Sequence, residues 1–186
     1  MSENKLVKIN CPICDHRDTK KIIYKKKLPP AFSETNYEGR KNPDNFHYEM
    51  VRCLTCGLLF ASEIYQNETI VDLYKDSKFN YSDELKGLRK TYGSCIVNSI
   101  DNSTIKENFL DIGCGNGFLL EEAKKIGFKN VFGSEISLDA IAKSLPEITK
   151  HIIQGPFEAK NFKTSSFDVI FFAMVIEHFD NPNLFL

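Results

Sequence analysis

The chain has 186 residues, of which 42% are hydrophobic and 26% charged, and its formal net charge of −1 is that of an ordinary folded globular protein. These totals do not indicate nucleic-acid binding, and no stretch approaches the roughly 18 apolar residues of a transmembrane helix. Because the N-terminus also lacks the apolar core of a signal peptide, we expect a cytoplasmic protein whose cysteines stay reduced.

The first region of the chain, residues 1–60, carries four of the cysteines as two pairs, each with a two-residue gap. Four thiolates at this spacing suit a structural zinc ion, because the gap lets both sulfurs of a pair reach one metal. A small segment that cannot build a core alone would gain folding energy from that metal. We therefore predict a zinc-ribbon-like unit over residues 1–60, with the ligands Cys11, Cys14, Cys53 and Cys56.

Two alternatives exist for these cysteines. Redox disulfides are one, but such motifs usually open a helix in a thioredoxin-like unit, and no such pattern is present. His16 and His47 are spare nitrogen ligands, which four cysteines make unnecessary. The same 60 residues hold 11 Lys or Arg against 7 Asp or Glu, so the positive charge of the chain is concentrated there.

Residues 61–106 carry scattered apolar positions and read as a helical linker or cap. The stretch "ETIVDLYKDSKF" predicts a short helix, and "ELKGLRKTYGSCIVNSI" predicts a longer one.

From residue 107 onward, strand patterns alternate with helix patterns. "NFLDIG", "NVFGSEI", "KHIIQG" and "SFDVIFFAMVI" predict four strands, and the last is apolar enough to be buried on both faces. "NGFLLEEAKKIG" predicts a helix that stops at Gly127, and Ser137 is placed to cap a helix over "LDAIAKSL". This rhythm predicts a parallel, doubly wound α/β sheet of the Rossmann type.

A glycine loop joins the first of these strands to its helix. Its spacing is G-x-G-x-G rather than the dinucleotide pattern G-x-G-x-x-G, and the strand before it ends in Asp111. A carboxylate is a poor neighbour for a diphosphate and a good one for a cationic ligand such as S-adenosylmethionine, which carries a sulfonium and an ammonium. Close approach of such a ligand favours glycine, and Glu135 at the end of the next strand can accept hydrogen bonds from both ribose hydroxyls.

The four segments "LDIGCGNG", "VFGSEIS", "IIQGPFEAKNF" and "SFDVIFFAMVIEHFDNP", in this order, resemble the class I S-adenosylmethionine-dependent methyltransferases. The resemblance covers residues 107–186 and implies the first four strands of a seven-stranded fold. We accordingly expect the chain to stop after the fourth strand, which would leave that strand at an apolar edge, the acceptor side incomplete and the activity of this piece in doubt.

The resemblance also implies roles for individual residues. The loop would lie under the methionine portion, Glu135 would bind the ribose, and the adenine contact would shift to Phe157 and Glu158 because Pro156 replaces the family's acidic residue. His178, in the segment "VIEHFDNP", is the candidate base for a proton of the acceptor, with a structural role in this turn as the alternative. The implied cofactor-binding residues are Asp111, Gly113, Cys114, Gly115, Gly117, Glu135, Ile136, Phe157 and Glu158.

The cysteine unit, "INCPICD" with "YEMVRCLTCGLLFASEIY", resembles the zinc-binding N-terminal segment of bacterial methyltransferases found with sugar and polysaccharide biosynthesis. The function this implies is methylation of a small molecule such as a sugar or polysaccharide precursor. A zinc-ribbon RNA-base methyltransferase is one alternative, weakly favoured by the N-terminal positive charge. A zinc-stabilised binding module without catalysis is the other.

Overall fold

The computed structural model describes residues 6–17, 20–30, 45–66, 71–72, 74–75 and 84–179. The chain divides into two compact units. One comprises Met1–Tyr74 and Glu177–Leu186, and the other comprises Lys75–Ile176. The boundary between Tyr74 and Lys75 falls within the predicted linker or cap, residues 61–106. The described part of the chain contains no helix long and apolar enough to cross a membrane.

The first unit is built from short antiparallel strands. Strands β2 (Lys20–Tyr24), β3 (Met50–Cys53) and β4 (Leu59–Ala61) form one sheet in that order, while β1 (Leu6–Lys8) pairs with β5 (Glu63–Tyr65). Alternation along β3 buries Val51 and Cys53 and leaves Arg52 exposed, as expected for a strand with one covered face. The core of this sheet is small: Cys11, Val51, Cys53 and Phe60.

The second unit is an α/β sandwich around a parallel sheet, which makes it Rossmann-like. Its strands are β6 (Asn108–Ile112), β7 (Asn130–Glu135), β8 (Ile152–Gln154) and β9 (Val169–Phe171), in the spatial order β8-β7-β6-β9. The helices are α1 (Leu85–Ser99), α2 (Phe118–Ile126), α3 (Leu138–Ala142) and α4 (Pro146–Thr149). Strand β6 is central and buried on both faces, so its carboxyl end brings the glycine loop to the middle of the sheet edge, where open α/β folds bind ligands.

The helix boundaries follow local chemistry. Helix α2 ends at Gly127, whose left-handed backbone (φ 110°) lets its N–H donate to the carbonyls of Ala123 and Lys124. Ser137 caps α3 by accepting a hydrogen bond from the Ala140 N–H, as its sequence predicts. The predicted helix over "LDAIAKSL" stops at Ala142, and Pro146 opens a further short helix that the pattern did not reveal.

The fourth strand is shorter than its apolar run predicts. Only Val169–Phe171 pair with β6, and Met174 leaves the extended conformation with a φ of 58°. Within the described residues β9 has a single strand neighbour, and Ile170 is accordingly 50% exposed. The prediction of burial on both faces is therefore wrong, whereas the expectation of an apolar edge agrees with this exposure.

Helix α1 is part of the same core as the sheet. Ile96 is 1% exposed and belongs to the cluster formed by β6, β7 and α2. Arg89 fastens α1 to α2 by donating to both oxygens of Glu121, to Glu122 and to the Phe118 carbonyl. The longer predicted helix is confirmed. The shorter predicted helix falls mostly outside the described residues. Its described residues, 71–72 and 74–75, are helical.

Candidate functional site

The backbone N–H groups of the glycine loop donate hydrogen bonds to other groups of the protein. The N–H groups of Gly113 and Cys114 both donate to the Ser134 carbonyl on β7, at 2.9 and 3.0 Å. The Gly117 N–H donates to the Cys114 carbonyl at 2.9 Å, and the Gly115 N–H donates to Glu135 Oε2 at 2.8 Å. These four amides are therefore not available to hold a phosphate group, which is what the loops of dinucleotide folds provide.

Two of the glycines are required by the fold itself. Gly113 and Gly117 have φ angles of 71° and 73°, in the left-handed region. A Cβ at Gly113 would lie 2.5 Å from Val175 Cγ2, and one at Gly117 would lie 2.5 Å from Ile148 Cγ2. We expected these glycines because of the close approach of a ligand. Their backbone conformation and the packing inside the protein already favour glycine at both positions.

Two carboxyl groups flank the loop. Asp111, the fourth residue of β6, is 2% exposed, and its pKa is raised well above the ordinary value because burial desolvates the carboxylate and Glu135 is negative nearby. Glu135 ends β7 and accepts hydrogen bonds from the N–H groups of Gly115 and Ser137, at 2.8 and 2.7 Å. The structure therefore brings together the two acidic residues that the sequence singled out, next to the predicted loop.

Cys114 lies inside the loop as a packed thiol. It is 2% exposed, and a Cβ on Gly133 would lie 2.6 Å from its Sγ, so β7 has a glycine where this sulfur needs room. Burial raises the pKa of the Cys114 thiol well above its ordinary value, as do the negative charges of Asp111 and Glu135. Ile136, in the turn after β7, is half-buried.

The residues predicted near adenine follow β8. The Phe157 ring stacks on Phe162, with ring centroids 5.9 Å apart and an interplanar angle of 16°. Glu158 is exposed and forms an ion pair with Lys160 at 3.0 Å. An aromatic surface is thus present after β8, while the exposed Glu158 carboxylate is paired with Lys160.

His178 ends a single 3₁₀ turn, Ile176–His178. Its Nε2 lies 3.2 Å from the Tyr74 hydroxyl, and the two rings meet edge to face with centroids 5.7 Å apart. Burial lowers the pKa of His178, against an opposing effect of Glu177. Burial thus disfavours the charged imidazole, and Tyr74 is a partner that the sequence did not reveal.

The four predicted zinc ligands converge in the first unit. Their sulfur atoms all lie within 4.8 Å of one another, with Cys11 to Cys56 at 3.4 Å and Cys14 to Cys53 at 3.6 Å. These separations exceed the roughly 2.05 Å of a disulfide bond, and all four cysteines are free. They are close to the spacing of about 3.8 Å that a tetrahedral site with Zn–S bonds of about 2.3 Å requires.

Local hydrogen bonds affect the four thiols unequally. Backbone N–H groups of Cys56 and Thr55 lower the pKa of the Cys53 thiol to about 6. Against the effect of the His16 backbone N–H, burial and hydrogen bonds with the other cysteines raise the pKa of the Cys14 thiol to about 12. His16 and His47 instead contact the backbone carbonyls of Cys14 and Tyr48, at 3.1 and 2.8 Å. Among the described residues, the group whose ligand atoms could hold a metal ion consists of cysteines alone.

Other residues around the site carry no motif. Asn116, between two loop glycines, has a side-chain oxygen that is buried without a hydrogen-bond partner in the described part of the chain. Val175 packs against Gly113, and Arg89 holds the first turn of α2. Only the polar character of Asn116 in an apolar context, and of Arg89 on a core-facing helix, could have drawn attention to them in the sequence.

The C-terminal part of the chain is similar to known proteins. Residues 110–186 match a family model described as a methyltransferase domain. Two solved structures are similar to the chain, both of the plantazolicin methyltransferase BpumL, one in complex with SAH and one with a triazolic desmethylPZN analog and SAH. No curated protein matches.

These two structures are 22% and 23% identical to the chain, with TM-scores of 0.39 and 0.36. Each alignment covers 62% of this chain, and 43% and 44% of the solved chains, so this chain spans less than half their length. The family match thus makes residues 110–186 similar to a methyltransferase domain.

Proposed function

We propose that this chain binds S-adenosylmethionine at the loop between β6 and α2, and that it supplies the cofactor-binding part of a methyltransferase for a small-molecule acceptor. The observation that carries the proposal is the polarity of the loop: four backbone donors are used internally, and two carboxyl groups flank it. Such a site favours positive charge and gives a phosphate little to bind.

Buried Asp111, beside Glu135, fits the methionine portion of this cofactor. Asp111 is held near Glu135 at a cost, because burial and like charge both oppose its ionisation. A ligand bearing an ammonium and a sulfonium relieves that cost through charge attraction, which is strong where water is excluded. A diphosphate would increase the cost, so the same pair discriminates against dinucleotides.

The residues after β7 and β8 fit the nucleoside portion. A carboxylate offers about four lone-pair positions, and Glu135 uses two of them on backbone N–H groups, so two remain for ribose hydroxyls. The Phe157 ring, supported by its stack on Phe162, offers an apolar face to an adenine ring. Cys114 and Ile136 complete the apolar lining of the predicted cofactor contacts.

Methyl transfer from this cofactor requires little chemistry from the side chains of the protein. When bound, S-adenosylmethionine supplies an activated methyl group on its sulfonium, and the chain's residues bind, orient and exclude water. Where the acceptor is a hydroxyl or amine, the resemblance makes His178 the residue that would hold the departing proton, and the contact with Tyr74 fixes its orientation.

Isothermal titration with S-adenosylmethionine and S-adenosylhomocysteine tests the cofactor assignment directly. We expect binding of both, no binding of NAD, and loss of binding in Glu135→Ala. Glu147→Ala, which alters an exposed carboxylate in the first turn of α4, is the matched control and should bind normally. Binding of NAD in preference to S-adenosylhomocysteine would refute the proposal.

We further propose that Cys11, Cys14, Cys53 and Cys56 hold a structural zinc ion. The sulfur separations suit a tetrahedral site, and the lowered pKa of Cys53 provides a thiolate. A site closed by four thiolates has no open position for substrate, so its contribution is to folding rather than to methyl transfer.

The acceptor class rests on the resemblance of the cysteine unit to segments found with sugar and polysaccharide methylation, and we propose a small metabolite of that kind. An RNA base is the competing acceptor, favoured by the 11 basic residues against 7 acidic ones in residues 1–60. Mobility-shift titration with short RNA separates the two. Affinity that falls steeply with salt would favour RNA, and no shift at low salt would favour the metabolite.

A further inference from the structure

Glu135 makes two backbone hydrogen bonds that no ribose-binding role requires. Its Oε2 accepts from the Gly115 N–H at 2.8 Å, and its Oε1 accepts from the Ser137 N–H at 2.7 Å. Gly115 lies in the loop after β6, whereas Ser137 lies in the turn after β7 and caps α3. One carboxylate therefore joins the ends of two adjacent parallel strands.

Glu135 holds the amide at the centre of the loop, that of Gly115. Gly115 has a φ of 56° and no side chain, so only its backbone can be held from outside. On either side, the amides of Cys114 and Gly117 are bonded to Ser134 and to the loop itself. Without Glu135, the central amide of the loop loses a charge-assisted hydrogen bond, which is among the stronger kinds.

We propose that Glu135 is also a positioning residue, which fixes the glycine loop through Gly115 in the shape that binds the cofactor before the cofactor arrives. The effect on cofactor binding rests on the function proposed above, whereas the hydrogen bond by which Glu135 fixes Gly115 does not. A preformed loop lowers the ordering cost of binding, so this second role increases affinity independently of any contact with ribose.

The role requires a carboxylate of this length. Glutamine keeps the size of the side chain but has one acceptor oxygen, so its amide nitrogen would face one of the two backbone donors. Aspartate keeps the charge and both oxygens but is shorter by one methylene, so it can stay with Ser137, two residues away, and lose Gly115. The two variants thus separate charge from reach.

The first experiment measures hydrogen exchange of the loop in the ligand-free protein. The second measures binding of a ligand that lacks the two ribose hydroxyls. In Glu135→Asp, we expect the Gly115 amide to exchange with solvent at least tenfold faster than in the parent and its NMR resonance to move. Glu107→Gln, which removes an exposed ion pair with Lys129, should leave Gly115 unchanged. An unchanged Gly115 amide in a folded Glu135→Asp sample would overturn the proposal.

A 2′,3′-dideoxy analogue of S-adenosylhomocysteine separates this role from ribose binding. If Glu135 also positions the loop, Glu135→Gln weakens binding of the dideoxy analogue severalfold relative to the parent. If its only contact is the ribose, the analogue binds both proteins equally and the proposal fails. Failure of the parent to bind S-adenosylhomocysteine, with Gly115 still protected by Glu135, would refute the cofactor assignment and leave the hold on the loop standing.

Discussion

Gly117 provides the sharpest test of why the loop contains glycine. Its φ is 73°, and a Cβ would lie 2.5 Å from Ile148 Cγ2 and 3.3 Å from Ile152 Cδ1. In Gly117→Ala the left-handed backbone costs about 1–2 kcal/mol and the forced methyl about 1–3 kcal/mol. We therefore expect the free energy of unfolding of the ligand-free protein to fall by about 2–5 kcal/mol, with Tm lower by on the order of 10 °C.

Thermal and urea unfolding followed by circular dichroism, without ligand, measures this loss. Gly87→Ala is the matched control: it lies in α1 with nothing within 4 Å of a built Cβ, so the same substitution should stabilise by about 0.5–1 kcal/mol. Ile148→Ala removes the clashing Cγ2, and in that background the cost of Gly117→Ala should shrink by about 1–3 kcal/mol.

The opposite result would be informative. If Gly117→Ala unfolds at the same temperature as the parent but no longer binds S-adenosylhomocysteine, the ligand and not the packing requires glycine at this position. A destabilisation that Ile148→Ala leaves unchanged would contradict the assignment of the clash.

Three further outcomes are expected. Because the pKa of Asp111 is raised in the folded state, the stability of the ligand-free protein should fall as pH rises above the ordinary value of 3.8, and Asp111→Asn should abolish this fall. Titration calorimetry should also show that the parent releases a proton when it binds S-adenosylmethionine and that Asp111→Asn does not. Chelation of zinc should unfold the first unit by circular dichroism, and Cys53→Ser but not the exposed Cys95→Ser should lower zinc content by mass spectrometry. Arg89→Ala should cost about 1–3 kcal/mol in urea unfolding, because it leaves the partly buried Glu121 unpaired.

Each of these has a result that contradicts it. Retained proton release in Asp111→Asn would assign the proton to another group. Normal zinc content in Cys53→Ser would exclude that thiolate as a ligand. A loss in Arg89→Ala no larger than that of Lys143→Ala, which breaks an exposed ion pair with Asp139, would make the contact between α1 and α2 a surface interaction.

The sequence predicted the sheet well where apolar runs end in glycine. Strand β6 and helix α2 lie where "NFLDIG" and "NGFLLEEAKKIG" place them, because a buried strand, a left-handed turn and a glycine stop each leave a local mark. The short β9 shows the limit: an apolar run shows what can be buried, but the neighbouring strand decides how much of it pairs.

The strand order predicts that the two acidic residues lie near the glycine loop, but it does not predict why the loop needs its glycines. Asp111 and Glu135 come together because parallel strands end at one edge, which sequence order alone indicates. The need for glycine at positions 113 and 117 comes from Val175 and Ile148, side chains that only the folded chain brings near. Contacts of this kind, like the burial of Ile96 from α1 in the sheet's core, leave no local signal in the sequence.

We expect the pairing of β1 with β5 to form late in the folding of the first unit. Lys8 and Glu63 meet only after a long stretch of chain has been closed, and such closures are slow because the entropy is lost before the contacts form. A zinc ion held between Cys14 and Cys53 would already tie that stretch together and leave two short ends to find each other. Refolding of this unit in stopped-flow experiments should therefore accelerate with added zinc, with the β1–β5 ladder forming last.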